Sequence, residues 1–566
     1  MTDDLLRGRI AYDGTRTPLK TLLFVVLCIA WLVPGLVGHD PWKADEALVF
    51  GAVTEMLRSG DWVVFRIAGE PYLEKAPLFL WTSALLGKAL GSLLPLHDAA
   101  RLAAGLYMAA TVGLLSLASR EIIGERAMRL AVLVFLGCLG LLIRAHEMAT
   151  DLAGLAGVAL ALYGLALARR RPLPGGALTG AGLGVAFLGD GFLPFGMVLA
   201  LMAFLPLAAP AWRTRSYAVT VALALACAAP LVAVWPLLLW NAAPGSLQAW
   251  VENATASSWT AFFARGEGPD LGYYLKTLPW YAWPAWPLAA WSVWRGRRAL
   301  DSRSDLQLPL AAFLIFFLAV TLFGEAREVN AMPLLLPLAI LAVAEVETVP
   351  RGAASALDWF GMTTFFLFAA ALWIGWVGAV TGKPDFAVAW IQREVPDFSY
   401  RFNFVAFALA ALLSLVWLVV VARSLRSTRR ALVNWAAGIT MVWMLMMTLG
   451  VPLVDQARSY RAVASRIVTQ LPTGFRCVAR KNLGDAQRAL LDYFVNLRTI
   501  REDFPASRAC GALLLQATPT RVPEVGPQWI ETWRGSRPGD RHELLVLYRR
   551  NPDYVEPPKP DEPSRT

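Results

Sequence analysis

Residues Asp45–Trp81 read DEALVFGAVTEMLRSGDWVVFRIAGEPYLEKAPLFLW. The block follows the first long apolar run, Leu19–Val37, and is too charged to lie in hydrocarbon. It opens on adjacent carboxylates, Asp45 and Glu46, and closes on a carboxylate beside a lysine, Glu74 and Lys75. Acidic residues and a lysine held at a membrane surface point to work on a phosphorylated, membrane-embedded substrate.

The 566 residues around this block are 57% hydrophobic and 17% charged, with a mean hydropathy of +0.50. A soluble domain has about 45–50% apolar and about 25% charged residues, so the chain reads as a polytopic membrane protein. Its 23 Trp and 27 Phe suit interfacial belts and span interiors. The net charge of +10 sits largely in short arginine clusters between apolar runs, where it sets topology and requires no nucleic-acid partner. The first apolar run is span-length with no small-residue cleavage site before the charged block, so it reads as a retained span.

Arginine-rich short loops stay on the cytoplasmic side. Keeping Arg120/Arg126/Arg129, Arg169–Arg171, Arg213/Arg215, Arg295/Arg297/Arg298 and Arg423/Arg426/Arg429/Arg430 inside fixes the parity of the spans between them. That parity makes the run Pro77–Pro95 an interfacial or re-entrant segment. Spans then fall near 19–37, 98–118, 128–143, 150–168, 176–189, 192–209, 217–239, 277–294, 306–323, 332–347, 357–380, 403–422 and 431–451. The expected fold is mainly α, a helical membrane bundle of about thirteen spans with its N-terminus inside. The bundle covers 1–452, a small α/β domain covers 453–555 on the outer face, and a Pro-rich disordered tail covers 556–566. In the C-terminal region the expected elements are a helix at Gln456–Gln470 and strands at Ala512–Ala517 and Glu543–Tyr548. Cys28, Cys138 and Cys227 lie in apolar runs as packing residues. Cys477 and Cys510 suit a disulfide if that domain is extracytoplasmic.

Several outer loops carry candidate chemistry. Asp45 and Glu46 fit the first turn of a short helix ended by Ser59-Gly60. Leu48, Val49, Ala52, Val53, Met56 and Leu57 would lay its apolar face in the membrane interface. The two carboxylates also suit a helix N-terminus for electrostatic reasons alone. Glu74-Lys75 is either an exposed ion pair or, with Lys75 outside against the positive-inside trend, a site where an ammonium meets a lipid phosphate. Arg144, His146, Glu147 and Asp151 cluster before the 150–168 span. Asp151 also suits a helix N-cap, and His146 is either a solvated histidine or a metal ligand with Glu147 or Asp45. Arg327 and Arg265 are outer-face cations, either phosphate partners or surface ion pairs. Asp190, between two apolar runs, should reach water.

The Asp45–Trp81 block resembles the PMT/ArnT branch of the GT-C membrane glycosyltransferases, especially the lipid A aminoarabinose transferases. Their first loop runs roughly D-E-x-R-Y, then E-M-x-x-x-G-D-W, then G-x-x-Y-x-E-K-P-P-L-x-Y-W. The counterparts here are DEALV, EMLRSGDW and GEPYLEKAPLFLW. The likeness continues more loosely through PWYAWPAWPLAAW and REVNAMPLLLPLAIL. It implies transfer of a sugar from an undecaprenyl-phosphate donor to a periplasmic acceptor, lipid A or another envelope molecule, by a multi-pass protein of the bacterial inner membrane. It maps the essential first-loop aspartate to Asp45 and a second acid to Asp151, with Glu46 alongside. Lys75 falls near the donor phosphate, and Glu74 becomes a candidate ligand for a divalent cation. Tyr72, Arg144, Arg265 and Arg327 complete the expected substrate-binding set.

This sequence departs from the family pattern at four positions. Leu48 replaces an arginine, Val49 its aromatic neighbour, Asp190 a lysine, and Asn330 a tyrosine. These departures keep open a related enzyme that puts a hexose on a protein or another envelope glycan, and an inactive relative. A transporter would show repeated halves and paired polar groups at mid-membrane, and the sequence has neither.

Overall fold

The computed structural model describes residues 18–255, 271–396, 398–423, 428–472, 475–538 and 540–554. Among the described residues, seven helices are long and apolar enough to cross a membrane: Leu96–Ile122, Asp151–Ala168, Arg215–Ala242, Ser304–Phe323, Arg351–Thr381, Phe404–Arg423 and the run Arg429–Thr469. Shorter apolar helices pack among them. One is Pro77–Leu90, whose 14 residues rise only about 21 Å at 1.5 Å each, short of a hydrocarbon core about 30 Å thick.

Two expected spans are broken. The 128–143 run forms a helix only over Ala127–Leu136, followed by a single turn at Leu141–Arg144. The break is set by packing. Trp435 donates its indole N–H to the Gly137 carbonyl at 2.9 Å, and a Cβ on Gly140 would fall 2.0 Å from the Tyr281 ring. The 277–294 run is divided at Pro284 into Leu271–Tyr281 and Ala285–Gly296.

The Asp151–Ala168 and Pro172–Asp190 helices approach through small residues. A Cβ on Gly157 would lie 2.3 Å from the Ala186 nitrogen, and one on Gly182 would lie 2.4 Å from the Ala161 nitrogen. Such backbone-to-backbone packing is how membrane helices pair without a hydrophobic drive. It carries to the helix ends, where a Cβ on Gly154 would meet the Asp190 Cβ at 2.6 Å. Asp190 is thereby seated one turn from Asp151.

The Asp45–Ser59 helix ends at Gly60, whose φ of +74° forms a left-handed cap. Its apolar face was expected to lie open toward the membrane interface, and it is covered instead. Residues 46, 47 and 49–56 are all buried, because the Asp485–Val495 helix of the C-terminal region covers the side away from the bundle. Gly51 permits this contact, since a Cβ there would fall 2.5 Å from Ala489.

The C-terminal region folds into a five-stranded sheet: β3 (Val478–Lys481), β4 (Thr499–Arg501), β5 (Ala512–Ala517), β6 (Trp529–Gly535) and β7 (Leu544–Arg550), in the order β4-β3-β5-β7-β6. A two-residue hairpin in the first loop supplies β1 (Arg66–Ile67) and β2 (Glu70–Pro71). β3 runs parallel to β4 and β5, while β7 is antiparallel to β5 and β6. The Ala512–Ala517 strand is where the sequence placed it. The expected Gln456–Gln470 helix is instead two helices, Val451–Arg458 and Arg461–Thr469, separated by an extended Ser459. Cys477 and Cys510 form a disulfide, with Cα atoms 4.7 Å apart.

Candidate active site

Asp45 opens its helix with a side chain only 15% exposed. Its carboxylate accepts from Arg144 at 2.9 Å and from one terminal nitrogen of Arg327 at 3.2 and 3.0 Å. Arg144 also pairs with Glu147 at 3.1 Å. Burial favours the neutral acid, but the charges of Lys75, Arg327 and Arg144 outweigh it and hold the Asp45 carboxyl below its usual pKa.

Lys75 is half-buried, and it makes no hydrogen bond or ion pair with another described residue. Burial works against its ammonium. The carboxylates of Asp151, Asp190 and Asp45 reverse that balance and keep it charged. Asp151 is not an N-cap: Thr150 holds that position and Asp151 is the first helical residue. Its carboxylate acts on Lys75, Arg144 and Arg327. Tyr72 is buried beside Glu74 and Asp45, and its hydroxyl makes no hydrogen bond of normal geometry. The structure thus gathers Asp45, Tyr72, Glu74, Lys75, Arg144, Asp151 and Arg327 from five separate segments. Arg265 lies outside the described residues.

Two expected site residues belong elsewhere. Glu46 is 2% exposed and faces the bundle, accepting from Arg101 Nε at 2.6 Å and from the Trp42 backbone at 2.9 Å. Arg101, fully buried, also pairs with Asp98 at 2.8 Å. A helix turns about 100° per residue, so the neighbour of Asp45 cannot share its direction. Glu46 is a buried ion-pair partner of Arg101 and makes no recorded bond to the groups around Asp45.

His146 is not a metal ligand and not solvated. It is 2% exposed, with ring nitrogens 2.7 Å from the Leu142 and Trp31 carbonyl oxygens. Burial lowers its pKa to about 4, despite those two carbonyls. No group of three or more His, Cys, Asp or Glu among the described residues has metal-holding geometry. Among the described residues Glu74 therefore belongs to no such group, and these residues do not fit a cation.

Three participants escaped the expected set. Glu147 is pushed up to about 7, first by burial, then by Glu46 and Asp45 against the opposing charge of Arg144. Asp190 is half-buried at the end of its helix, and burial and the charge of Asp151 raise its carboxyl well above the usual range against Lys75. The Tyr281 hydroxyl is buried without a partner among the described residues, in the field of Arg144 and Asp151. For Asp190 the available signal was a carboxylate between two apolar runs. For Tyr281, within an aromatic-rich run, there was none.

The bundle with its small sheet domain has an ArnT-like GT-C fold. By structure, the chain is similar to ArnT from Cupriavidus metallidurans bound to undecaprenyl phosphate, with a TM-score of 0.66 at 18% identity, covering 94% of this chain and 98% of that one. By sequence, it is 28% identical over 494 residues to the undecaprenyl phosphate-alpha-4-amino-4-deoxy-L-arabinose arabinosyl transferase of Pseudomonas paraeruginosa, covering 82% of both chains. The same-named protein of Pseudomonas aeruginosa strain UCBPP-PA14 is 27% identical over 491 residues, also covering 82% of both. No family model matches the chain.

Proposed function

We propose that the chain is a multi-pass glycosyltransferase that moves a sugar from undecaprenyl phosphate to lipid A at the periplasmic face of a bacterial inner membrane. The observation that carries this reading is the Asp45 carboxylate clamped by Arg144 and Arg327, with the ammonium of Lys75 beside it. The relatives' names support the donor. The arginine clusters support about thirteen crossings over 1–452, with the site and the 453–555 domain outside.

In the transfer, an acceptor oxygen bonds to the anomeric carbon as the bond from that carbon to the phosphate oxygen breaks. The electron pair leaves with undecaprenyl phosphate. Lys75 and Arg327 neutralise the charge gathering on that phosphate, and Arg265 joins them by its place in sequence. A hydroxyl acceptor would give its proton to Asp45, which its cationic neighbours keep ionised. A lipid A phosphate is already anionic and needs no base. Asp45 and Asp151 would then orient the acceptor and stabilise positive charge on the sugar ring. Attack opposite the leaving group inverts the anomeric centre.

A second reading rests on Asp190. Burial and the charge of Asp151 raise its carboxyl well above the usual range against Lys75, and Leu48 and Asp190 stand where the family pattern has an arginine and a lysine. An anionic acceptor would find fewer cations to hold it, which favours a hexose placed on a neutral hydroxyl of a protein or envelope glycan. Mass spectrometry of lipid A and other envelope glycoconjugates, with and without the gene, separates the two. A pentosamine on lipid A supports the first, and a hexose elsewhere supports the second. Within either reading, Asp45→Asn should lower transfer at least about 100-fold with membrane insertion unchanged. Near-normal transfer would sink the assignment.

A further inference from the structure

The segment that leads into Asp45 is held from two directions. On the bundle side, Arg101 donates to the carbonyls of Leu36, His39 and Asp40 at 3.2–3.4 Å. On the other side, the grip comes from the helices that open the C-terminal region. One oxygen of Asp455 accepts both the Asp40 backbone N–H and the Trp42 indole N–H, each at 3.0 Å. The Asp40 carboxylate accepts from Ser459 Oγ at 2.6 Å and from Arg461 Nε at 3.0 Å, with a further bond from an Arg461 terminal nitrogen. The Trp42 ring stacks on His39 with centroids 4.1 Å apart, and Arg458 lies over it at 5.3 Å.

Trp42 also braces the start of the Asp45 helix. Its carbonyl accepts the Ala47 N–H at 3.1 Å, and its own N–H goes to Glu46 at 2.9 Å. The direction in which Asp45 leaves the helix therefore depends on the place of Trp42, three residues earlier. Asp455 and Arg461 touch no atom of the Asp45 side chain among the hydrogen bonds and ion pairs recorded for it. We infer that Asp455 and Arg461 are positioning residues: through Asp40 and Trp42 they aim the Asp45 carboxylate, making the C-terminal region part of the active-site framework. The inference rests on the reading of Asp45 as a site residue. Displacements near 1 Å at a reacting group cost about 100-fold in rate, so such a brace has a kinetic signature.

The test compares Asp455→Ala with Asp455→Asn in the full-length protein, assayed with undecaprenyl-phosphate sugar and its acceptor. Asp455→Ala removes the shared acceptor and should lower kcat by about 10- to 100-fold, with the KM for donor within two-fold of wild type. Asp455→Asn keeps an oxygen for both N–H groups and should retain most of kcat. Trp42→Phe keeps the ring and loses only the indole N–H, so it should give a smaller fall and add nothing to Asp455→Ala. It also carries the test if Asp455→Ala does not fold. Unchanged kcat in both Asp455→Ala and Trp42→Phe overturns the inference. So does a rise in KM at constant kcat, or a loss in Asp455→Asn as large as in Asp455→Ala. Asp45→Asn is run alongside: full transfer by that variant removes the site reading itself, whatever Asp455 does.

Discussion

Arg327 reaches Asp45 across 282 residues of sequence, placing one terminal nitrogen 3.2 and 3.0 Å from the two carboxylate oxygens. The pair joins a turn between two bundle helices to the first loop. Arg327 is 41% exposed and Asp45 15%, so the arginine is the more accessible of the two.

Arg327→Gln should therefore do two things. As a partner for the departing phosphate, its loss should lower kcat/KM by roughly 100- to 1000-fold. It should also move the acid limb of the pH profile. Lys75, Arg327 and Arg144 hold the Asp45 carboxyl low against burial; with Arg327 gone, the carboxyl titrates at higher pH. Activity in the variant then falls at a higher pH than in wild type as the medium is acidified. A variant with unchanged kcat/KM and an unmoved limb would remove Arg327 from the site.

Glu46→Gln should behave as a folding variant. Glu46 sits against Arg101, both buried, and stripping one partner from a buried ion pair costs roughly 3–5 kcal/mol. Asp98 remains on Arg101 at 2.8 Å, which places the loss at the low end. Thermal unfolding of the detergent-solubilised variant should show the drop, with transfer per folded molecule within a few-fold of wild type. A 100-fold loss of transfer without any loss of stability would return Glu46 to the catalytic group.

The adjacent pair Asp45-Glu46 marks how far sequence reaches. The start of their helix and its end at Gly60 were legible, because turn chemistry is local; Lys75 and Asp151 were set beside Asp45 only by the resemblance to a known family. Which carboxylate faced the site was not legible. That depends on Arg101, 55 residues away and hidden in an apolar run. The same limit explains the misplaced helix face: residues 46–56 read as half-exposed until the Asp485–Val495 helix is known to cover them. In the 128–143 run, Gly137 and Gly140 pass as small residues of a span, and only the Trp435 and Tyr281 side chains show why the helix stops there. The Ala512–Ala517 strand was readable from its own apolar run, whereas β3 and β4 take their places only by pairing.

Glu147 gives a stability prediction with a definite sign. Its pKa of about 7 lies above the unfolded value of 4.5, so the folded state holds an extra proton between those limits. Stability from this group is greatest below the unfolded value and declines as pH rises toward and through 7. Glu147→Gln stays neutral throughout. Relative to wild type it should gain stability on going from pH 5 to pH 8, by on the order of 2 kcal/mol. Parallel melting temperatures across that range would place the Glu147 titration elsewhere.

The Cys477–Cys510 bond sits just before β3 and β5, two parallel neighbours whose register pairs Val478 with Ala512. Parallel strands need a long crossover, here supplied by the Asp485–Val495 helix and β4. The disulfide closes that crossover over a sequence separation of 33. Loop-closure entropy for such a length is worth about 3–4 kcal/mol. Replacing both cysteines by serine should lower the melting temperature of the sheet domain and raise its susceptibility to proteolysis, with the membrane helices still inserted. The bond also tests sidedness, because disulfides persist in the periplasm and not in the cytoplasm. In intact cells treated with a thiol-reactive maleimide before any reductant, Cys477 and Cys510 should remain unlabelled, then label fully after reduction. Labelling without reductant would show free thiols and undercut a periplasmic place for the domain.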